Sequence, residues 1–260
     1  MPQAAAIRRH EGAYLRLNPA ARAGLRHIGT EAQPLLIVDD VLAEPEAMID
    51  AAAEANFYVP PHTNYPGINA NLPESYYLTI IGALRPALEA AFGLSPRLPL
   101  NYFGFFGLAT KAAAEATPAQ KAPHVDCYDP RRLALVHYFC DARYDGTGFF
   151  KQRATGFESV DQGRAQRYVD TVMAERAQPD PDAVFPGESA AHYDLIGKAE
   201  MAFNRLIVYR SHVLHTPLLA PEGASADPRL GRLTANGFIT PAGAAPERRP
   251  NIDGADSVSE

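Results

Sequence analysis

The feature that most constrains this chain is a succession of brief, strand-like runs from about residue 98 onward. LPLNYFGFFGL, RLALVHYF, TGFFKQ, RLIVYRS and RLTANGFI are each rich in aromatic and β-branched residues and are separated by turn residues. That spacing predicts a sandwich or barrel-like all-β core. One long segment, about residues 156–200, interrupts the series. Its first half, ESVDQGRAQRYVDTVMAERA, has helical composition, and its second half, QPDPDAVFPGES, is loop-like. An insertion of this size in a small barrel is expected to form a lid or a surface cap, and here to cover the site mouth and contribute to substrate selection.

Ahead of the strands the character differs. Residues 35–42, LLIVDDVL, bounded by Pro34, predict a strand. Pro45 and the acidic residues beside it open a helix through EPEAMIDAAAEANF, because Pro is tolerated in a first turn and carboxylates suit its positive end. VPPHTNYPGINANLP reads as a loop. Residues 74–92 predict a second helix, kinked or interrupted near Pro86 and stopped by Gly93. The end of the chain is Pro/Gly-rich and polar, and predicts a loosely held tail. The expected fold class is therefore α+β, mainly β. At 260 residues, 47% of them apolar, the chain suits one domain with a sizeable core. Residues 1–97 would form a strand-and-helix support, 98–240 the β core with its insertion, and 241–260 the tail.

Lys and Arg number 24 against 30 Asp and Glu, a net charge of −6, and no basic block stands out. A nucleic-acid partner is disfavoured on these electrostatics. Cys127 and Cys140 do not make a secreted disulfide framework. Cys127, beside Asp126, reads as a packed small residue rather than a catalytic thiol. The N-terminus lacks an apolar signal region, and no apolar run approaches the ~20 residues of a membrane span. A soluble cytoplasmic protein without a membrane partner is the expectation, and a homodimer is left open.

The chemistry-bearing residues begin in APHVDCYDP. His124 and Asp126 are two apart, so on an extended strand both project from one face. A neutral imidazole beside a carboxylate makes two-thirds of the facial triad that holds non-haem Fe(II). Taken alone, H-x-D equally describes a surface histidine near an aspartate in a turn. A third ligand is expected from NRLIVYRSHVLHTPLL, which offers His212 and His215. The strand over 205–210 turns at Arg210-Ser211. His215 opens the apolar return and is preferred as the inward-facing ligand, whereas His212 is expected in the turn, facing solvent. In DPRLGRLTANGFI, Arg232 begins a strand with Thr234 on the same face, and a guanidinium fork there suits a carboxylate. Arg229 competes, but it sits beside Pro228 in what reads as a turn.

The order His124-x-Asp126 … His215 … Arg232 resembles the Fe(II)/2-oxoglutarate-dependent oxygenase superfamily, and the surrounding sequence is most similar to its prolyl-hydroxylase-like branch. LLIVDDVLAEPEAMIDAAAEA resembles the strand-and-helix opening of that branch. ALVHYFCDARYDGTGFF is similar to its strand, aspartate-containing turn and following strand, and RLIVYRSHVLHTP to the strand that ends at the distal histidine. The resemblance implies a double-stranded β-helix (jelly roll, cupin-like) core with N-terminal supporting helices and a partly helical insertion. It implies Fe(II) held by His124, Asp126 and His215, with 2-oxoglutarate and O2 as co-reactants. Arg232 would hold the distal carboxylate of 2-oxoglutarate, with Tyr138, Tyr102 and Thr234 as further cosubstrate contacts. Strand alternation would then leave His137 outside the metal site. The intact Asp126 argues for hydroxylation of a small molecule or a peptide or protein side chain, with release of succinate and CO2. The approach GLATKAAAEATPAQKAP and the 156–200 insertion are both longer than the pattern, so substrate does not transfer from any relative. TNYPGIN is either a rigid loop near the site mouth or a plain surface turn. Two rival readings are a cupin-type metal-binding barrel without oxygenase activity, whose ligand set is usually richer in histidine, and a peptide-binding barrel without turnover.

Overall fold

The computed structural model describes residues 15–61, 64–177, 185–186, 189–220 and 222–243. In chain order these form β1 (Arg22–Ile28), β2 (Gln33–Asp39), α1 (Glu46–Glu54), β3 (Gly67–Asn71), α2 (Glu74–Phe92), β4 (Leu100–Ala109) and the short α3 (Pro118–Lys121). There follow β5 (Leu133–Tyr138), β6 (Thr147–Gln152), α4 (Ala165–Arg176), β7 (Ser189–Ala190), β8 (Tyr193–Ala199), β9 (Leu206–Arg210), β10 (His215–Pro217) and β11 (Leu233–Pro241). All pairings are antiparallel. The strands make a larger sheet in the order β1-β2-β9-β5-β11-β4-β3 and a smaller one in the order β10-β6-β8-β7.

Alternation along the strands gives the larger sheet two different faces. Leu133 and Leu135 of β5, Leu206 and Val208 of β9, and Leu233 and Ala235 of β11 pack on one side against Met48 and Ala52 of α1 and Tyr76, Ile80, Leu84 and Leu88 of α2. The intervening residues Ala134, Tyr138, Ile207 and Tyr209 pack on the other side against Phe149 of β6 and Ala199 of β8. The two sheets therefore face each other across a second core, and α1 and α2 cover the outer face of the larger one. Each buried Leu or Ile on these faces contributes roughly 1.5–3 kcal/mol relative to exposure. Moving one residue in register would turn all of them to the wrong side.

Four differences from the sequence expectations have clear causes. The segment read as a loop contains β3, which pairs with the edge of β4 from Gly67↔Ala109 to Asn71↔Phe105. β1, which no sequence signal marks, is a hairpin partner of β2 whose side chains are almost all exposed. α2 runs through Pro86 without a break and ends at Gly93 in the left-handed conformation. The carbonyl that the Pro86 ring crowds belongs to Gly82, which has open space around it. Finally, most of the described part of the 156–200 segment is built onto and into the smaller sheet, while Pro186 lines a cavity shared with Arg232; residues 178–184 and 187–188 of the expected lid lie outside the described residues. Tyr168 and Val172 of α4 pack with Phe150, Val160, Tyr193 and Leu214 on the outer face of the smaller sheet. β8 is itself a strand of that sheet, paired along β6. The apolar positions of α4 found a sheet back to cover, and the strand residues beyond it completed the sheet.

Candidate metal centre

His124 and His215 lie directly opposite each other in an antiparallel bridge. The His124 amide donates to the His215 carbonyl at 2.9 Å and the His215 amide to the His124 carbonyl at 3.0 Å. Directly opposed residues present their side chains on one face, and Asp126, two positions on, joins them there. The Asp126 amide is in turn held by the Ser211 carbonyl at 2.9 Å. Val125 and Leu214, the alternating neighbours, point to the other side and pack with α4. α4 thus supports the ligand strands from behind.

The two imidazole centroids are 4.7 Å apart. Asp126 Oδ1 is 3.8 Å from His124 Nε2, and Oδ2 is 3.6 Å from His215 Nε2. One donor atom from each residue lies within 4.8 Å of the others, close to what one ion about 2.1 Å from each donor requires. The tautomers follow from backbone acceptors. His124 Nδ1 is 3.3 Å from the Ala122 carbonyl, and His215 Nδ1 is 2.9 Å from the Val213 carbonyl. A carbonyl only accepts, so each Nδ1 carries the proton and each Nε2 lone pair faces the centre. Burial lowers the His215 pKa to about 4, only partly offset by the Asp126 charge. His215 is therefore neutral, as a metal ligand must be. His212 is not in this group. It is buried rather than solvent-facing, packed in the turn where its carbonyl takes the Val160 amide.

Next to the triad, Tyr209 sets its ring edge-on to His215 with centroids 4.8 Å apart. Further along the same inner face lies a polar group around Arg232, which is 3% exposed. Its Nε donates to the Asp145 carbonyl at 3.1 Å and its Nη2 to the Gly146 carbonyl at 2.9 Å. Among the described residues Arg232 has no carboxylate partner, and Nη1 has no acceptor. Tyr138 lies under the guanidinium, 5.8 Å from ring centroid to Cζ, and its hydroxyl is 2.7 Å from Thr147 Oγ1. Burial pushes the Tyr138 pKa up to about 12, against the opposing pull of the Arg232 charge. Thr234 is paired with Tyr138 across β5 and β11, and its hydroxyl takes a hydrogen bond from Asn236 Nδ2 at 2.9 Å. A cavity of about 200 Å³, lined among others by Lys111, Tyr144, Asp145, Leu218 and Arg232, reaches this group but not the triad.

Of the residues expected to hold the metal or the cosubstrate, Tyr102 alone lies elsewhere. It stacks on Tyr77 of α2 with centroids 5.2 Å apart, on the helix-covered face. Its ring lies over Gly104 and Gly237, a directly paired couple on which any Cβ would collide with it. Tyr65, from the TNYPGIN stretch, takes the place next to Thr234 instead. Its hydroxyl lies where a Cβ on Gly107 would be, 2.7 Å away. Burial raises its pKa to about 12, and the nearby Arg232 charge opposes the rise. The only sequence signal for Tyr65 was the Tyr-Pro-Gly turn chemistry, which places a loop but not its side chain. His137, as alternation requires, lies outside the site. It is buried on the helix side between Tyr76 and Asn204.

Two facing antiparallel sheets, with two imidazoles and a carboxyl group converging between them, define a mainly-β protein with a candidate metal centre. The chain belongs to a family of unknown function, DUF6445, whose model matches residues 19–239. No curated protein matches the sequence. Among solved structures it is similar to SnoK, a non-heme alpha-ketoglutarate-dependent carbocyclase from nogalamycin biosynthesis (13% identity, covering 87% of this chain and 88% of that one, TM-score 0.48). It is also similar to an N-substituted L-amino acid dioxygenase from Burkholderia ambifaria AMMD (11% identity, 84% and 94%, TM-score 0.40). A third is the Fe(II)/alpha-ketoglutarate-dependent dioxygenase TqaL (11% identity, 81% and 78%, TM-score 0.37). Among the described residues no helix is long and apolar enough to cross a membrane.

Proposed function

We propose that this chain is an Fe(II)- and 2-oxoglutarate-dependent oxygenase built on a double-stranded β-helix, of the hydroxylating kind. The observation that carries the reading is the pairing, on one inner surface, of a facial His/Asp/His group with a buried guanidinium that has no carboxylate partner among the described residues. The donor set fits the ion. Two Nε2 lone pairs and a carboxylate occupy one side and leave the other open, the pattern of non-haem Fe(II) oxygenases. The Arg232 environment fits a dicarboxylate, because a buried cation without an anion is costly and Nη1 is unoccupied.

When bound, iron and 2-oxoglutarate supply the oxidising power, with O2 consumed and succinate and CO2 released. The chain's own residues do the rest. His124, Asp126 and His215 fix the ion, and the Ala122 and Val213 carbonyls lock the two rings in the ligating tautomer. Arg232, with the hydroxyls of Tyr138 and Thr234 beside it, orients the far carboxylate of the cosubstrate. Tyr209, Phe149 and Ala134 wall the centre with apolar surface and keep water from it.

The test is spectroscopic. Adding 2-oxoglutarate to the Fe(II) protein without oxygen is expected to give a weak metal-to-ligand charge-transfer band in the green. Arg232→Ala removes one partner of a buried ion pair, at a cost of about 3–5 kcal/mol. The 2-oxoglutarate midpoint should therefore rise by roughly 100-fold or more, while Fe(II) affinity stays. Arg232→Lys should recover only part of the loss, because an ammonium keeps the charge without the fork. An unchanged midpoint in Arg232→Ala would remove the ground for this reading. A band without any succinate formation from candidate substrates would favour a binding protein instead.

A further inference from the structure

We infer that the substrate of this centre is a small molecule carrying an aromatic ring, held on a strip of rings that crosses the inner face of the larger sheet. The inference rests on the oxygenase reading above and adds the substrate class to it. Strand register defines the strip. Tyr209 of β9 is paired with Ala134 of β5, Ala134 with Phe238 of β11, and Phe238 with Phe103 of β4. Directly paired residues share a face, so these four side chains form one row. Phe105 stands beside Phe103 on the same face, their centroids 5.9 Å apart.

The row begins at the metal centre, where Tyr209 touches His215, and ends in the open. Phe103 is 64% exposed, although apolar rings of this size ordinarily mark an interaction site when they are clustered at a surface. Three inter-strand spacings separate Tyr209 from Phe103, about 14 Å. That length suits a small molecule rather than a folded partner. Ala134 is the one small residue in the row. It and Tyr209 are buried in the core between the sheets, 4% and 2% exposed, so the accessible part of the row is its Phe238–Phe103 end. A ring seated there lies two inter-strand spacings, about 10 Å, from Tyr209 and the triad, within reach of a substituent that carries the carbon to be oxidised.

The chemistry of the strip favours a flat group. No carboxylate or amine stands in the row. The guanidinium of Arg132 lies over the Phe238 ring, 4.7 Å from its centroid, so a planar π-partner is already stacked there. A planar ring presented to Phe103, Phe105 and this guanidinium finds edge-to-face and offset contacts that a branched aliphatic group does not make.

The chain contains no tryptophan, so an indole probe can be followed by its own fluorescence. The experiment uses the anaerobic protein with Fe(II) and 2-oxoglutarate and titrates it into N-acetyltryptophanamide, reading anisotropy. N-acetylphenylalaninamide is expected to displace the probe at least ~10-fold better than N-acetylleucinamide, in line with the extra contribution of aromatic pairs. Phe103→Ser, at an exposed position that does not threaten the fold, should weaken probe binding about 10-fold, and Phe238→Leu likewise. The charge-transfer titration with 2-oxoglutarate should be unchanged in both. Equal competition by the leucine compound, or wild-type probe affinity in Phe103→Ser, overturns the inference. A pentapeptide with central tryptophan that binds far more tightly than the probe overturns the small-molecule assignment. Absence of the charge-transfer band with ring-dependent probe binding intact sinks the oxygenase reading instead, which keeps the two failures apart.

Discussion

On the helix-covered side of the larger sheet, His137 has both ring nitrogens engaged. Its Nε2 donates to Asn204 Oδ1 at 3.1 Å, and its Nδ1 accepts from the Tyr76 hydroxyl at 3.0 Å. In the space between the sheets, His215 has only Nδ1 committed, to the Val213 carbonyl. Burial lowers both, His137 to about 3 and His215 to about 4. The two histidines are thus equally neutral and hold opposite tautomers. A depressed pKa does not separate a structural histidine from a ligand; an uncommitted nitrogen facing a carboxylate does. His137 instead fastens layers together, since Asn204 also accepts from the Leu42 amide and donates to its carbonyl.

The largest test of this contrast is removal of the ligands. His124→Ala, Asp126→Ala and His215→Ala are each expected to weaken Fe(II) binding by ~100-fold or more, since losing a mere hydrogen-bond partner of a ligand already costs about 10- to 100-fold. Calorimetry of the apo protein with Fe(II) reads this, and thermal unfolding of the apo forms should remain cooperative. His212→Ala should retain iron; the reverse result would show that the distal ligand is the wrong histidine. His137→Ala is expected to act in the opposite way. It removes the acceptor of the buried Tyr76 hydroxyl and one of the Asn204 contacts and leaves a cavity between the layers, and should cost about 2–4 kcal/mol of stability, with iron affinity unchanged in the protein that remains folded.

A smaller effect follows from titration. His137 stays neutral in the fold down to about pH 3, whereas in the unfolded chain it takes up a proton near its ordinary value of about 6.5. Its stability contribution is fully present above that value and is lost as pH falls from about 6.5 toward 3, by at most about 1.4 kcal/mol per pH unit. His137→Gln, which can keep the hydrogen bonds without titrating, should flatten this part of the pH–stability curve in urea unfolding. His212 and His215 contribute in the same direction, so the curve should flatten without becoming level. Smallest of all is Arg229→Ala. Arg229 pairs with Asp50 at 2.8 Å, but both side chains are more than half exposed. The expected stability change is within about 0.5 kcal/mol, with the 2-oxoglutarate midpoint unmoved. A large shift in that midpoint would mean that the wrong arginine has been assigned to the cosubstrate.

Parity explains most of what could and could not be read beforehand. His124 and Asp126 share a face because they are two apart on extended chain, and His137 and Tyr138 diverge because they are one apart; both statements are local. LNYFGFFGL resists the same treatment. Aromatics occupy both parities, at Tyr102 and Phe106 and at Phe103 and Phe105, so the sequence does not say which set faces inward. The deciding facts are long-range. Gly104 meets Gly237 across the ladder and gives Tyr102 room on the helix side, while Gly107 meets Thr234 and gives Tyr65 room on the inner side. The place of α4 could not be read from the 156–200 segment for a related reason, since its helical pattern marks an apolar face without naming the surface that covers it.

By itself, then, the sequence determined the β-rich core, the two helices ahead of it, the same-face pairing of His124 with Asp126 and the inward placement of His215 in the return strand. These depend on periods of two and 3.6 residues and on turn chemistry, which act over a few neighbours. The tertiary structure alone decided that β8 completes the smaller sheet, that α4 braces the strands of the His/Asp/His group from behind, that Tyr65 rather than Tyr102 stands beside Arg232, and that Arg232 is buried without a carboxylate partner among the described residues. Each of those depends on register between strands distant in sequence. Register is set by the packing of whole faces, which no single segment contains.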